Sequence, residues 1–99
     1  MNQIYTLPEI QSLLAPVFAR HGVRRAVLFG SYAKGSATER SDVDILVDSG
    51  LRGLAFYGLL ENVVPALGLP VDLIDITQVE KNSPVDHEIC QSGVPIFEQ

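Results

Sequence analysis

Two aspartates separated by a single residue, Asp42 and Asp44, are the side chains of this sequence best placed to do chemistry. They open the apolar run 42–48, which is typical of a β-strand, so both carboxylates would leave the same face of that strand. Carboxylates this close repel each other unless a counter-charge lies between them, and a divalent metal ion is the usual one. The pair therefore predicts a metal site.

Gly30 and Ser31 form a second candidate feature, at the end of the apolar segment 24–29. Small residues with accessible backbone N–H groups, at a point where a strand gives way to a helix, are suited to binding phosphate. Phosphate and metal together predict a nucleotide. Two cations follow, Lys34 and Arg40, and the sequence leaves open whether each contacts phosphate or is a solvated side chain of the connection.

A third carboxylate would complete a site for two metal ions, an arrangement that supports nucleotidyl transfer. The apolar run 71–76 offers Asp72 and Asp75, which lie three residues apart and so point to opposite faces of a strand. We choose Asp72, because it lies at the start of its strand, as the first pair does. Asp48 lies six residues beyond the first aspartate of that pair, roughly 20 Å away at about 3.3 Å per residue, which is too far.

Periodicity and turn residues predict the elements that position these side chains. A helix capped by Thr6 and ended by Gly22 is followed by strands and helices in alternation, over residues 24–29, 31–35, 42–48, 53–67, 71–76, 84–93 and 94–97. The order α-β-α-β-α-β-α-β predicts one α/β (α+β) domain over residues 1–99, a small mixed β-sheet flanked by helices.

Two predictions concern packing within the helices. The spacing of apolar residues predicts an inner face for the helix over 53–67, formed by Leu60, Val63, Val64 and Leu67. Cys90 lies beside Ile89 in the last helix, and we interpret it as a small core residue rather than a nucleophile.

Composition excludes several classes of function. Apolar residues make up 46% of the 99 residues, enough for a core, but no apolar run approaches the roughly 20 residues that a membrane helix needs. The net charge of −5 argues against direct nucleic-acid binding driven by charge. The first residues lack the pattern of a signal peptide, and a single cysteine excludes an internal disulfide, so we expect a cytoplasmic protein.

Ten residues separate the Gly30-Ser31 pair from Asp42-Val43-Asp44. This motif resembles the signature of the DNA polymerase beta-like nucleotidyltransferases. The longer stretch FGSYAKGSATERSDVDILV is similar to the minimal nucleotidyltransferase (MNT) branch of that superfamily. A solvent-facing strand would be the usual explanation of an isolated pair of aspartates, but the fixed interval from the Gly-Ser pair makes that explanation less favourable.

The resemblance implies roles for individual residues. Gly30 and Ser31 would bind the nucleotide phosphates, and Asp42 and Asp44 would bind Mg²⁺. Asp72 would be the third carboxylate, as a metal ligand or as the base toward the acceptor hydroxyl. The family often has a basic residue at the position of Lys34, which could therefore contact phosphate or the partner. For Arg40 the resemblance does not decide between contact with phosphate and a solvated side chain.

The resemblance also implies a partner. MNT proteins of this size are similar to antitoxins that transfer AMP from ATP to a tyrosine of a HEPN ribonuclease toxin, so we expect adenylyl transfer to that toxin within a hetero-oligomer. Two alternatives remain: a catalytically silent binding module that neutralises its partner by contact, and a small-molecule nucleotidyltransferase whose acceptor site is completed by homodimerisation.

Overall fold

Helices and strands alternate along the chain, as their sequence periods predict. The computed structural model describes residues 4–38 and 40–99. Its elements, in chain order, are α1 (Leu7–Arg20), β1 (Arg25–Phe29), α2 (Gly30–Lys34), β2 (Val43–Asp48), α3 (Leu54–Leu67), β3 (Val71–Asp75), a 3₁₀ helix (Ile76–Gln78), α4 (Pro84–Ser92) and β4 (Val94–Glu98).

The four strands form one mixed sheet in the order β3-β2-β1-β4. β1 is antiparallel to both β2 and β4, whereas β2 and β3 are parallel. β3 can run parallel to β2 because α3 carries the chain back across the sheet between them. β4 lies at an edge of the sheet, as expected of a strand that contains Pro95.

One face of the sheet packs against α1 and α3 and forms the main core. Alternate residues of β2 supply its centre: Val43, Ile45 and Val47 are fully buried. Phe18 of α1 packs on Phe97 of β4, with ring centroids 5.5 Å apart. The amphipathic α1 begins at the predicted capping box, in which Thr6 and Glu9 satisfy each other's backbone N–H groups.

The opposite face of the sheet is covered as well. Val27, Phe29 and Leu46 form a second buried cluster, and Ile74, Val79 and Ile89 pack against it. Because Asp44 and Leu46 are two residues apart on β2, both side chains leave the strand on this second face. The strand that carries Asp44 is therefore not a solvent-facing strand.

Three packing details differ from the expectations. β2 begins at Val43, so Asp42 precedes the strand instead of opening it. The buried residues of α3 are Leu59, Val63 and Leu67, whereas the predicted Leu60 and Val64 are only partly buried. The inner face of α3 thus follows a spacing of four residues, which points Leu59 rather than Leu60 at the sheet.

Cys90 is exposed, so its interpretation as a core residue is wrong. No residue of the nine-residue α4 is fully buried. Ile89, which precedes Cys90 in that helix, makes the contact with the sheet. Within residues 4–38 and 40–99, no helix is long and apolar enough to cross a membrane.

Candidate functional site

Parallel pairing of β2 and β3 brings two of the predicted carboxylates side by side. Asp44 is the register partner of Asp72, and the two strands enter the sheet at the same end. Asp44 lies two residues before Leu46, and Asp72 lies two residues before Ile74. Residues two apart on a strand share a face, so both carboxylates lie on the face of the second cluster. Asp42 precedes β2 by one residue and is exposed. The site is thus built at one end of two adjacent strands.

Gly30 lies directly against Asp44. Its neighbour Phe29 is the register partner of Asp44 in the antiparallel β1–β2 pair. A Cβ atom at position 30 would collide with the Asp44 carboxylate, and the residue has a φ of +74°, in the left-handed region. Only glycine satisfies both conditions without strain. The strand-to-helix turn and the metal-binding candidate are therefore parts of one site.

Asp44 is electrostatically strained as it stands. The pKa of its carboxyl is raised from 3.8 to about 6, chiefly by burial and then by the negative charges of Asp72, Glu88 and Asp42. A bound divalent cation would remove that penalty, because it replaces the lost water and neutralises the carboxylates at once.

The start of α2 leaves donors for an anion. Phe29, its N-cap residue, makes no side-chain cap, so the first N–H groups of the helix have no side-chain acceptor. Ser31, the second residue of α2, is partly buried. Gly35 ends the helix in the left-handed conformation, so α2 is a single turn with its N-terminus beside Asp44.

Lys34, in the last turn of α2, forms an ion pair with Glu88 of α4. The distance between Nζ of Lys34 and Oε1 of Glu88 is 3.3 Å, and the side chains are 52% and 35% exposed. The sequence prediction missed Glu88. No local signal marks it, since it lies 44 residues beyond Asp44 in the sequence and reaches the site only because α4 packs against β1 and α2.

Arg40 lies on the connection between α2 and β2 and is exposed. This connection is held by its own hydroxyls: the Thr38 N–H donates to Oγ of Ser41 at 2.8 Å, and the Arg40 N–H donates to Oγ1 of Thr38 at 3.3 Å. The turn fixes the backbone of Arg40 but leaves its guanidinium in solvent. The structure does not bring that side chain together with Asp44 or Gly30.

Two other aspartates have positions that separate them from the site. Asp48 lies at the far end of β2, opposite Arg25 in the register of the β1–β2 pair. Asp75 is 4% exposed and accepts hydrogen bonds from Ser49 and Thr77, from the backbone N–H and the hydroxyl of each. Burial alone would raise the pKa of Asp75, but those hydrogen bonds outweigh it and hold the pKa below its usual value.

Two further side chains near these elements have structural roles. Tyr32 is 6% exposed within the main core, and burial raises the pKa of its phenol. His21 is the C-cap residue of α1, and its Nε2 lies 2.9 Å from Nδ2 of Asn62.

The carboxylates fit a metal ion that is shared with a ligand. Within the part of the chain that the structure describes, no three Asp, Glu, His or Cys side chains converge closely enough to hold an ion by themselves. Mg²⁺ takes one or two carboxylates together with waters and substrate phosphates, rather than a complete protein cage. Asp44 and Asp72, side by side near an uncapped helix start, have the chemistry of such a partial site.

The chain is similar to known proteins in both sequence and structure. Residues 13–99 match the family model described as polymerase beta, nucleotidyltransferase. A relative from Thermococcus cleftensis, the protein adenylyltransferase MntA, is 47% identical over 75 residues, which cover 70% of this chain and 76% of that protein.

Solved structures share the fold. A chain from a toxin–antitoxin structure with AMP-PNP superposes with a TM-score of 0.76 at 22% identity and covers 90% of this chain and 73% of that chain. A chain from a complex of the tri-AMPylated Shewanella oneidensis HEPN toxin with its MNT antitoxin gives a TM-score of 0.71 at 19% identity, over 95% of this chain and 74% of that one. At these identities the likeness shows the fold alone.

Proposed function

Because the chain belongs to the polymerase beta nucleotidyltransferase family, we propose that it is an Mg²⁺-dependent adenylyltransferase that transfers AMP from ATP to a protein hydroxyl. The observation that carries the proposal is the contact of Gly30 with Asp44, with Asp72 in register beside them. It places the start of α2, which is suited to phosphate, against carboxylates suited to a metal ion. A nucleoside triphosphate with its Mg²⁺ presents both partners together.

Each residue then has a part in binding. Gly30 and Ser31 bind the phosphates, through backbone N–H groups and the serine hydroxyl. Lys34 supplies a positive charge at the other end of the single-turn α2, and Arg40, which is free to turn in solvent, contributes a more distant one. Asp42 and Asp44, with Asp72 as a third ligand, would hold one or two Mg²⁺ ions. When bound, Mg²⁺ neutralises charge on the triphosphate as it develops during transfer.

The chemical step forms one bond and breaks one. The acceptor hydroxyl oxygen attacks the α-phosphorus of ATP, and the bond from that phosphorus to the oxygen bridging to the β-phosphate breaks, which releases pyrophosphate. The proton of the hydroxyl passes to the carboxylate of Asp72, which is exposed and therefore reachable by an acceptor outside the domain. Asp44, partly buried against Gly30, would serve as a metal ligand and not as the base.

The acceptor that we propose is a tyrosine of a HEPN toxin, so that the protein acts as a cytoplasmic antitoxin within a hetero-oligomer. Support comes from the relative named as a protein adenylyltransferase and from the shared fold with the MNT antitoxin of an AMPylated HEPN toxin. A tyrosine presented by a second protein also suits the exposed position of Asp72, which a group outside this domain can reach.

The test is co-expression with the neighbouring HEPN-type protein. Wild type should relieve the growth inhibition that this toxin causes. It should also leave AMP on a tyrosine of the toxin, which mass spectrometry would detect. Asp42→Asn with Asp44→Asn should lose both effects while still folding. The matched control is Asp48→Asn, which removes a carboxylate from the same strand at the far end of the sheet and should retain both.

Neutralisation by contact alone is the alternative that this experiment separates. If the double variant restored growth without modifying the partner, the fold would serve as a binding module. If wild type modified a small molecule but never the partner, the protein would be a small-molecule nucleotidyltransferase.

A further inference from the structure

Glu88 is a carboxylate near the site that neither the family signature nor the strand pattern assigns. It lies on α4, and its charge acts on Asp44. A negative side chain at this place repels a triphosphate. Lys34 neutralises Glu88 in their ion pair, and this pairing occupies a cation that a triphosphate would otherwise attract.

Lys34 has two possible partners. It now pairs with Glu88 at 3.3 Å, while the other end of its single-turn helix begins at Gly30, against Asp44. The Lys34 side chain is 52% exposed and carries its ammonium on a flexible stem, so it can change partner at little cost. A triphosphate carries several negative charges and competes well with one carboxylate.

We propose that Glu88 competes with the triphosphate of ATP for Lys34, and so lowers the affinity of the site for nucleotide. The inference rests on the proposed function and deepens it. The same competition acts after transfer, when pyrophosphate occupies the position of the leaving phosphates. Return of Lys34 to Glu88 weakens the hold on pyrophosphate and favours its release.

The competition predicts a specific sign. Glu88→Gln removes a negative charge and frees Lys34, so the variant should bind Mg²⁺ with α,β-methylene ATP about two- to fivefold tighter, the range expected for a partly exposed ion pair. Lys34→Met should bind more weakly than wild type. Glu88→Gln should bring a smaller gain when it is combined with Lys34→Met, because the two residues act through each other.

Isothermal titration calorimetry at two salt concentrations measures the affinity for Mg²⁺ with α,β-methylene ATP. The gain of Glu88→Gln should shrink as the salt concentration rises. Glu61→Gln, an equal charge change at an exposed position on α3, is the matched control and should leave affinity unchanged. A steady-state assay should show a lower KM for ATP in Glu88→Gln, with a kcat that does not rise. An ion pair that only linked α2 to α4 would not produce this effect.

Two results would overturn the inference while leaving the proposed function intact. Weaker binding by Glu88→Gln would mean that Glu88 holds Lys34 in position for phosphate instead of competing for it. Unchanged binding would reduce the pair to a link between α2 and α4. If wild type bound no nucleotide at all, the proposed function would fail first, and this inference with it.

Discussion

Replacing Asp44 by asparagine is expected to stabilise the metal-free protein at neutral pH while removing its capacity for metal. The folded protein raises the pKa of Asp44 from 3.8 to about 6, chiefly through burial. Between those values the native state keeps a proton that the unfolded chain has released, so the free energy of unfolding falls as pH rises through this window. Above about pH 6 the whole penalty is present; below about pH 4 it is absent.

The size of the effect follows from the shift. About two pKa units correspond to about 3 kcal/mol as an upper bound. Asp44 is only partly buried, and solvent screening reduces this to about 1–2 kcal/mol. For a domain of this size, each kcal/mol changes the Tm by about 4–8 °C. Asp44→Asn should therefore melt several degrees above wild type at pH 7.5, with only about a third of that gain at pH 4.5.

Thermal unfolding monitored by circular dichroism in the presence of a chelator measures this gain. Asp48→Asn is the control, because it removes a carboxylate from the same strand outside the cluster and should not reproduce the pH-dependent gain. Equal gains at pH 4.5 and 7.5, or no gain at either, would refute the account of Asp44 as a strained carboxylate. Added Mg²⁺ and ATP should stabilise wild type but not Asp44→Asn.

The remaining predictions test separate contacts. Gly30→Ala should cost about 1–3 kcal/mol more than Gly22→Ala in denaturant unfolding, since both glycines have positive φ but only position 30 would collide with Asp44; equal costs would contradict the close contact. Asp75→Ala should cost about 2–4 kcal/mol, because it leaves the donors of Ser49 and Thr77 unpaired, while nucleotide binding by the surviving folded protein stays normal. Mg²⁺-dependent nucleotide binding, followed by titration from pH 5 to 8, should strengthen as pH rises through about 6, because Asp44 must lose its proton to bind metal; a flat profile would speak against Asp44 as a ligand.

Strand parity and position along the strand together predicted much of the site's layout. Parity put Asp72 and Asp75 on opposite faces, and the place of Asp72 at the start of its strand favoured it. The structure pairs Asp72 with Asp44 in the parallel register, whereas Asp75 bonds to Ser49 and Thr77. Local turn residues likewise predicted the order of helices and strands. These features depend on neighbours within a few residues, which a sequence displays directly.

Features that depend on how elements dock could not be predicted in the same way. Glu88 reaches Lys34 only because α4 lies against α2, and no spacing within α4 announces that contact. Cys90 is exposed for a related reason, since α4 turns Ile89 rather than Cys90 toward the sheet. In α3, a shift of one residue between Leu60 and Leu59 lies within the ambiguity of an apolar run.

If the carboxylates beside Gly30 serve nucleotidyl transfer, the partner receives the α-phosphate of ATP and not the γ-phosphate. ATP labelled at the α-phosphorus and ATP labelled at the γ-phosphorus, each supplied with Mg²⁺ and the HEPN-type partner, distinguish the two. We expect the partner to acquire label from the α position only, and Asp42→Asn with Asp44→Asn to abolish this labelling. Label from the γ position, or α label that survives in the double variant, would rule out nucleotidyl transfer by these carboxylates.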